Sequence, residues 1–146
     1  MKIYIAADHA GFHLKKQLIQ YLQVKDFEVE DCGAYELDEA DDYPDFIKPV
    51  AEAVSRDKEV KGIIIGKSGQ GEAMGANRTK GVRAMVWYGG NMEALRLSRE
   101  HNDSNVLSLG AGFIRDEEAF EAVKLWLETP FSAAERHIRR IKKLDA

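Results

Sequence analysis

One cysteine, Cys32, stands among 146 residues. Neither an intrachain disulfide nor a cysteine metal cluster can form, which fits a reducing compartment and predicts a cytoplasmic protein. Long hydrophobic runs are also missing. No stretch approaches the roughly eighteen apolar residues of a membrane span, so no membrane partner is expected. An excess of positive charge is missing too. The net charge of -4 argues against a broad nucleic-acid surface, and any anion must be met by a local basic cluster. The four histidines, at 9, 13, 101 and 137, are scattered, with no H-E-x-x-H pattern, so neither a metal nor another cofactor is expected. The N-terminus enters a strand-like segment without the layout of a secretory signal. There is no internal repeat, low-complexity tract or linker, and the length suits a single domain spanning 1–146.

What the chain does have is alternation. Short apolar runs at 3–6, 28–31, 62–65, 82–86 and 105–109 read as strands. Amphipathic segments at 11–24, 44–56, 71–79, 90–101 and 116–128 read as helices, with apolar residues recurring at three and four, as in Phe12, Leu14, Leu18 and Leu22. The pattern predicts an α/β protein: a three-layer α/β/α sandwich around a five-stranded parallel, Rossmann-like sheet, with the polar second strand at an edge. Phe131 to Leu144 reads as a terminal helix with a basic face. In such a sheet ligands bind beyond the carboxyl ends of the strands. Polar residues and glycines gather in the corresponding loops, at 6–11, 32–43, 66–72, 87–91 and 110–115.

The third of these loops, Gly66-Lys-Ser-Gly-Gln-Gly-Glu72, lets successive N–H groups face one concavity, an anion nest. It is not a P-loop, whose first glycine would fall at Lys61. Nor is it a dinucleotide loop, because the glycine after Gly69 and Gly71 arrives one residue late, at 75. A nest without a nucleotide signature suits an oxyanion that develops during a reaction. Glu72 stands at its mouth, where the helix N-terminus is expected to keep the carboxylate ionised. It is either a base or a carboxylate that merely complements the helix dipole. Ser68 lacks the G-x-S-x-G elbow of a hydrolase.

Other candidates are equally two-sided. Asp8 is a helix N-cap or a rim carboxylate, and His9 could bind phosphate at the helix start. His101 and Asn102 end the fourth helical segment, where an isolated histidine is ordinarily a surface residue. Arg136 and Arg140 share one face of the terminal helix, as paired guanidinium groups suited to phosphate or as a solvated basic end. Trp87, Tyr88 and Tyr43 could wall a sugar or simply pack.

Taken in order, Ala7-Asp-His-Ala-Gly11, Asp42-Tyr-Pro-Asp45, Gly66-x-Ser-Gly-x-Gly71, Ala76-Asn77, Ser98-Arg-Glu-His-Asn-Asp103, Thr129-Pro-Phe131 and Arg136-His-x-x-Arg140 carry a resemblance that runs almost end to end. The chain resembles ribose-5-phosphate isomerase type B and its relatives acting on galactose 6-phosphate and allose 6-phosphate. Many members place a cysteine base just after the third strand, where this chain has Gly66. Here it looks like the actinobacterial-type variant, in which a glutamate after the glycine loop is the base. Asp31-Cys-Gly-Ala34 and Asp41-Asp-Tyr-Pro44 also resemble that variant.

The resemblance implies a metal-free aldose–ketose isomerase of a phosphorylated sugar, with Glu72 as base and Ser68 with the N–H groups of 67–71, Gly69 and Gly71 among them, as anion hole. It also implies that His101 assists ring opening, that Asp8 and Asn102 hold sugar hydroxyls with Tyr43 beside them, and that His9, Arg136 and Arg140 take the phosphate. It implies a homodimer or higher homo-oligomer whose basic helix serves a neighbour's pocket. Two positions depart from the family. Gly112 stands where an arginine is usual, and Lys67 where a second glycine is usual. These departures leave a hexose 6-phosphate isomerase and a non-catalytic sugar-phosphate-binding protein as alternatives.

Overall fold

The computed structural model describes residues 1–146. Five strands, β1 (Lys2–Ala7), β2 (Glu28–Asp31), β3 (Lys61–Gly66), β4 (Ala84–Trp87) and β5 (Val106–Gly110), form one sheet in the order β2-β1-β3-β5-β4. Every pairing is parallel. Side chains alternate across a strand, so the isoleucine runs feed both faces at once. Ile3, Ile5, Ile63 and Ile65 point to one layer, packed by α1 (Phe12–Val24), α4 (Glu93–Asn102) and α5 (Asp116–Glu128) through Leu14, Leu18, Leu95, Val123 and Trp126. Ala6, Ile64 and Val106 point to the other, covered by α2 (Pro44–Arg56) and α3 (Gln70–Ala76) through Ile47, Val50, Val54 and Ala76. The three-layer parallel sandwich is as expected, with β2 at one edge because only one face of Glu28–Asp31 is apolar enough to bury. Each fully buried aliphatic side chain contributes about 1.5–3 kcal/mol.

Most boundaries shift by a residue or a few, and those of the fourth strand and the last helix carry consequences. The fourth strand begins at Ala84, two residues late, and ends on Trp87. Its indole is not a rim residue: it lies 4 % exposed in the core beneath α4 and α5, so it cannot wall a sugar. The last helix, α6, runs Glu135–Leu144 rather than from Phe131. Ala133 takes a left-handed φ of 55° and the Ser132 N–H donates to Glu100 O (3.1 Å), so this stretch is a strap across the end of α4.

The registers Ala7↔Ile65, Gly66↔Gly110 and Trp87↔Leu109 bring the strand ends level, so that one rim carries every loop after a strand. Strand order reverses between β1 and β3, which opens a crevice at their carboxyl ends. No helix is long and apolar enough to cross a membrane.

Candidate active site

The crevice is built from short loops. After β1, Asp8 caps a single 3-10 turn (His9–Gly11), its Oδ1 accepting from Ala10 N–H at 3.0 Å. It is therefore a cap and a crevice residue together, 7 % exposed, and burial pushes its carboxyl pKa up against the pull of the Ala10 N–H and of His9. After β3, Gly69 adopts φ 79° and starts α3, and its carbonyl accepts from Ser108 Oγ on β5 at 2.6 Å. Ser68 Oγ accepts from Gln70 N–H at 3.3 Å, tightening the turn. The Tyr43 ring, at the start of α2, lies directly over Gly71, leaving no room for a side chain there.

Glu72 is in the first turn of α3 and 4 % exposed. Its carboxylate fills the space beside Gly66, where any Cβ at position 66 would collide with it. The helix start is not the only influence on this carboxyl. Burial dominates and raises its pKa, the Glu72 N–H only partly offsets that, and the nearby Asp8 charge raises it further. The loops thus place a desolvated carboxylate beside the glycine turn at one crevice.

His9 and Asp41 form the outer wall. Asp41 Oδ1 accepts from His9 Nδ1 at 2.6 Å and from His9 N–H at 3.1 Å. Asp8, His9 and Asp41 thus bring a ring nitrogen and two carboxylates within 4.8 Å of one another. With the proton on Nδ1 the ring donates to Oδ1, and this hydrogen bond to Asp41, with the charges of Asp8 and Asp41, raises the His9 pKa against desolvation.

The remaining residues lie elsewhere. His101 and Asn102 end α4, immediately before β5, at the opposite end of the sheet from Gly66 and Glu72. Five residues of β5 separate the two ends by roughly 15 Å. Arg83 Nε on Asn102 O (3.0 Å) and buried Arg99, bonded to Asp103 Oδ1 (2.8 Å) and Thr129 O (3.1 Å), fix this end. There His101 stacks on His137 of α6, with centroids 4.3 Å apart and an interplanar angle of 18°. His137 is 5 % exposed, and burial, with Arg136, His101 and Arg140, lowers its pKa. Arg136 and Arg140 are exposed and enter none of the ion pairs of the chain.

One chain therefore gathers Asp8, His9, Tyr43, Ser68, Gly69, Gly71 and Glu72 at the rim, and His101, Asn102, Arg136 and Arg140 at the far end. Sequence reasoning gave no role to His137, and it treated Asp41 only as part of a family likeness. Arg115, three residues after Gly112, holds Glu118 through Nε at 3.2 Å. The Lys67 stem runs across Gly112, where a Cβ would meet Lys67 Cγ at 2.9 Å and Lys67 O at 3.0 Å.

A family profile described as Ribose/Galactose Isomerase matches residues 3–144. The chain belongs to that isomerase family. Within it, the chain is 39 % identical over 142 residues to the ribose-5-phosphate isomerase B of Mycolicibacterium paratuberculosis, covering 97 % of this chain and 87 % of that protein. The crystal structure of ribose-5-phosphate isomerase B from Mycoplasma genitalium with bound ribulose-5-phosphate superposes with a TM-score of 0.93, at 39 % identity over 98 % of this chain and 93 % of that one. The isomerase from Thermotoga maritima gives 0.91 at 42 % identity, over 99 % and 97 %. The two superpositions cover 98 % and 99 % of this chain.

Proposed function

We propose that the chain interconverts ribose 5-phosphate and ribulose 5-phosphate through an enediolate, with Glu72 as the general base and no metal or cofactor. The observation that carries this is the Glu72 carboxylate lying in the space beside Gly66, buried and next to the loop N–H groups. A raised pKa makes the ionised carboxylate a stronger base, and proton transfer of this kind contributes about 10²–10⁴ in rate. Glu72 takes the C2 proton of the open-chain aldose and the electron pair moves through C1 to O1. The negative oxygens are held by Ser68 and the N–H groups of 67–71. Glu72 returns the proton to C1 while the O2 proton passes to O1, giving the ketose.

Ring opening and the second half of the phosphate grip come from another copy. His101, Arg136 and Arg140 sit too far from Glu72 to meet one sugar phosphate within a chain, and both arginines are exposed and unpaired. A two-fold dimer that sets α6 against the neighbouring rim completes both sites. His9 then grips the phosphate from its own chain, and Asp8 and Asn102 hold hydroxyls.

The test is ketose formation from ribose 5-phosphate and, separately, allose 6-phosphate in EDTA, repeated with Glu72→Gln. Turnover of the pentose, lost with the substitution, is expected. Turnover surviving in Glu72→Gln removes the base assignment, activity lost in EDTA removes the metal-free step, and preference for the hexose reassigns the substrate.

A further inference from the structure

Asp41 belongs to no catalytic step above, yet its side chain is tightly held at the rim. It reaches back from the loop before α2 to a residue 32 positions earlier and accepts twice from it, at the backbone N–H and at Nδ1. Its side chain is 7 % exposed, and its second oxygen, Oδ2, is fully buried with no hydrogen-bond partner. No lysine or arginine pairs with it. The negative charge of this buried carboxylate is answered by His9 alone.

We infer that Asp41 is a positioning residue that holds His9 as an imidazolium with Nε2–H turned outward, and that it thereby sets the affinity of the site for the phosphate of its substrate. This rests on the reading of His9 as a phosphate contact. The geometry supplies the reason. With Nδ1 committed to Asp41, the free nitrogen is on the far side of the ring, and the His9 side chain is 36 % exposed while Asp41 is not. Taking the proton from His9 would strand a buried carboxylate beside a neutral ring, so the pair resists deprotonation as a unit. The groups facing His9 act in the same direction. Asp8 lies on its own turn, Asp41 and Glu39 on the loop packed against it, and all three favour the charged ring, against a smaller desolvation effect. An unperturbed histidine, with a pKa of about 6.5, is mostly neutral at neutral pH and would offer a phosphate dianion only a weak donor. Charge-assisted bonds are shorter and stronger than neutral ones.

The experiment uses the full-length protein and three readouts. In Asp41→Asn, KM for ribose 5-phosphate rises roughly tenfold while kcat stays within about twofold, because the phosphate is remote from C1 and C2. Wild-type KM climbs with pH only above the raised His9 pKa. In Asp41→Asn the climb begins at lower pH, and NMR titration of His9 shifts downward with it. Asp41→Glu recovers part of the affinity. In a His9→Gln background, adding Asp41→Asn changes KM little, since Asp41 acts through His9. Unchanged KM and an unchanged His9 titration in Asp41→Asn overturn the inference. So does a fall in kcat and melting temperature with no change in the His9 titration, which marks a structural role alone. If the wild-type protein does not isomerise ribose 5-phosphate, the isomerase reading fails first, and the His9 titration still decides whether Asp41 holds the imidazolium.

Discussion

The two ends of the sheet solve opposite problems. At the strand-end rim the carboxylates are buried: Glu72 and Asp8 are 4 % and 7 % exposed, and both have pKa values raised by burial. At the far end the cations of α6 stand in solvent, and it is their support that is buried, through Arg99 and the His101–His137 stack. A base must be desolvated to be strong. A phosphate grip can stay exposed until the substrate or another subunit arrives. On the proposed reading, stability is spent at one end and affinity waits at the other.

The largest expected effect separates these roles at the rim. Glu72→Gln lowers kcat by about 10³. Its folded pKa lies above the unfolded one, so the stability it contributes is present below the unfolded pKa and is lost as pH rises through the folded pKa. At neutral pH the buried charge therefore costs stability. Glu72→Gln should unfold at a higher temperature than the wild type at pH 7.5, by about 1 kcal/mol of stability, and the gain should vanish near pH 4. Calorimetry at both pH values checks this. A lower melting temperature at pH 7.5 would make Glu72 a structural carboxylate.

The next largest effect tests whether the two ends belong to different chains. Arg140→Ala raises KM by roughly tenfold to a hundredfold, and Arg136→Ala/Arg140→Ala lowers activity at limiting substrate further. Mixing Glu72→Gln with that double variant, under conditions that exchange subunits, should restore activity. Hybrid dimers carry one site with both defects and one intact site, so equal mixing returns about a quarter of wild-type sites. If nothing is recovered although native mass spectrometry detects hybrids, the division between subunits is wrong.

Much of this was legible in order but not in space. The parallel sandwich follows from strand and helix alternation. The rim follows from the strand-end rule, and Asp8, Ser68 and Glu72 fall where the loops predict. Trp87 was misplaced because a residue at a strand end can point inward, and one position decides which. The raised pKa of Glu72 was not legible, because a helix start is local, whereas the burial and the Asp8 charge that raise it come from residues distant in sequence. Asp41 and His9 meet across 32 residues with no periodicity to announce it. The His101–His137 stack was equally silent, since β5, α5 and the strap separate α4 from α6 along the chain.

The departures at Lys67 and Gly112 are one departure. The lysine stem occupies the ground a side chain at 112 needs, so Gly112→Ala should destabilise by about 1 kcal/mol and be partly relieved in Lys67→Gly. If the exposed ammonium contributes charge to the bound substrate, Lys67→Met raises KM by roughly threefold, and Lys67→Gly/Gly112→Arg recovers it. Additive destabilisation in the Gly112→Ala/Lys67→Gly pair would uncouple the two positions. Equal KM values throughout would leave the lysine outside the site.

The smallest effect concerns the far end alone. The folded pKa of His137 lies below its unfolded value because the ring is buried near Arg136, His101 and Arg140. Neutral His137 is favoured in the folded chain, so stability is full above the unfolded pKa of about 6.5 and declines as pH falls toward the lowered one. Hydrogen exchange should show α6 and the end of α4 loosening first on acidification from pH 7 to 5.5, while the amides of the glycine loop stay protected. His137→Phe keeps an aromatic ring against His101 and should remove most of that pH dependence. Equal loosening in the variant would place the sensitive group elsewhere. Loosening of the glycine loop at the same pH would mean that the two ends do not respond independently, and that the separation between buried base and exposed grip is one of position only.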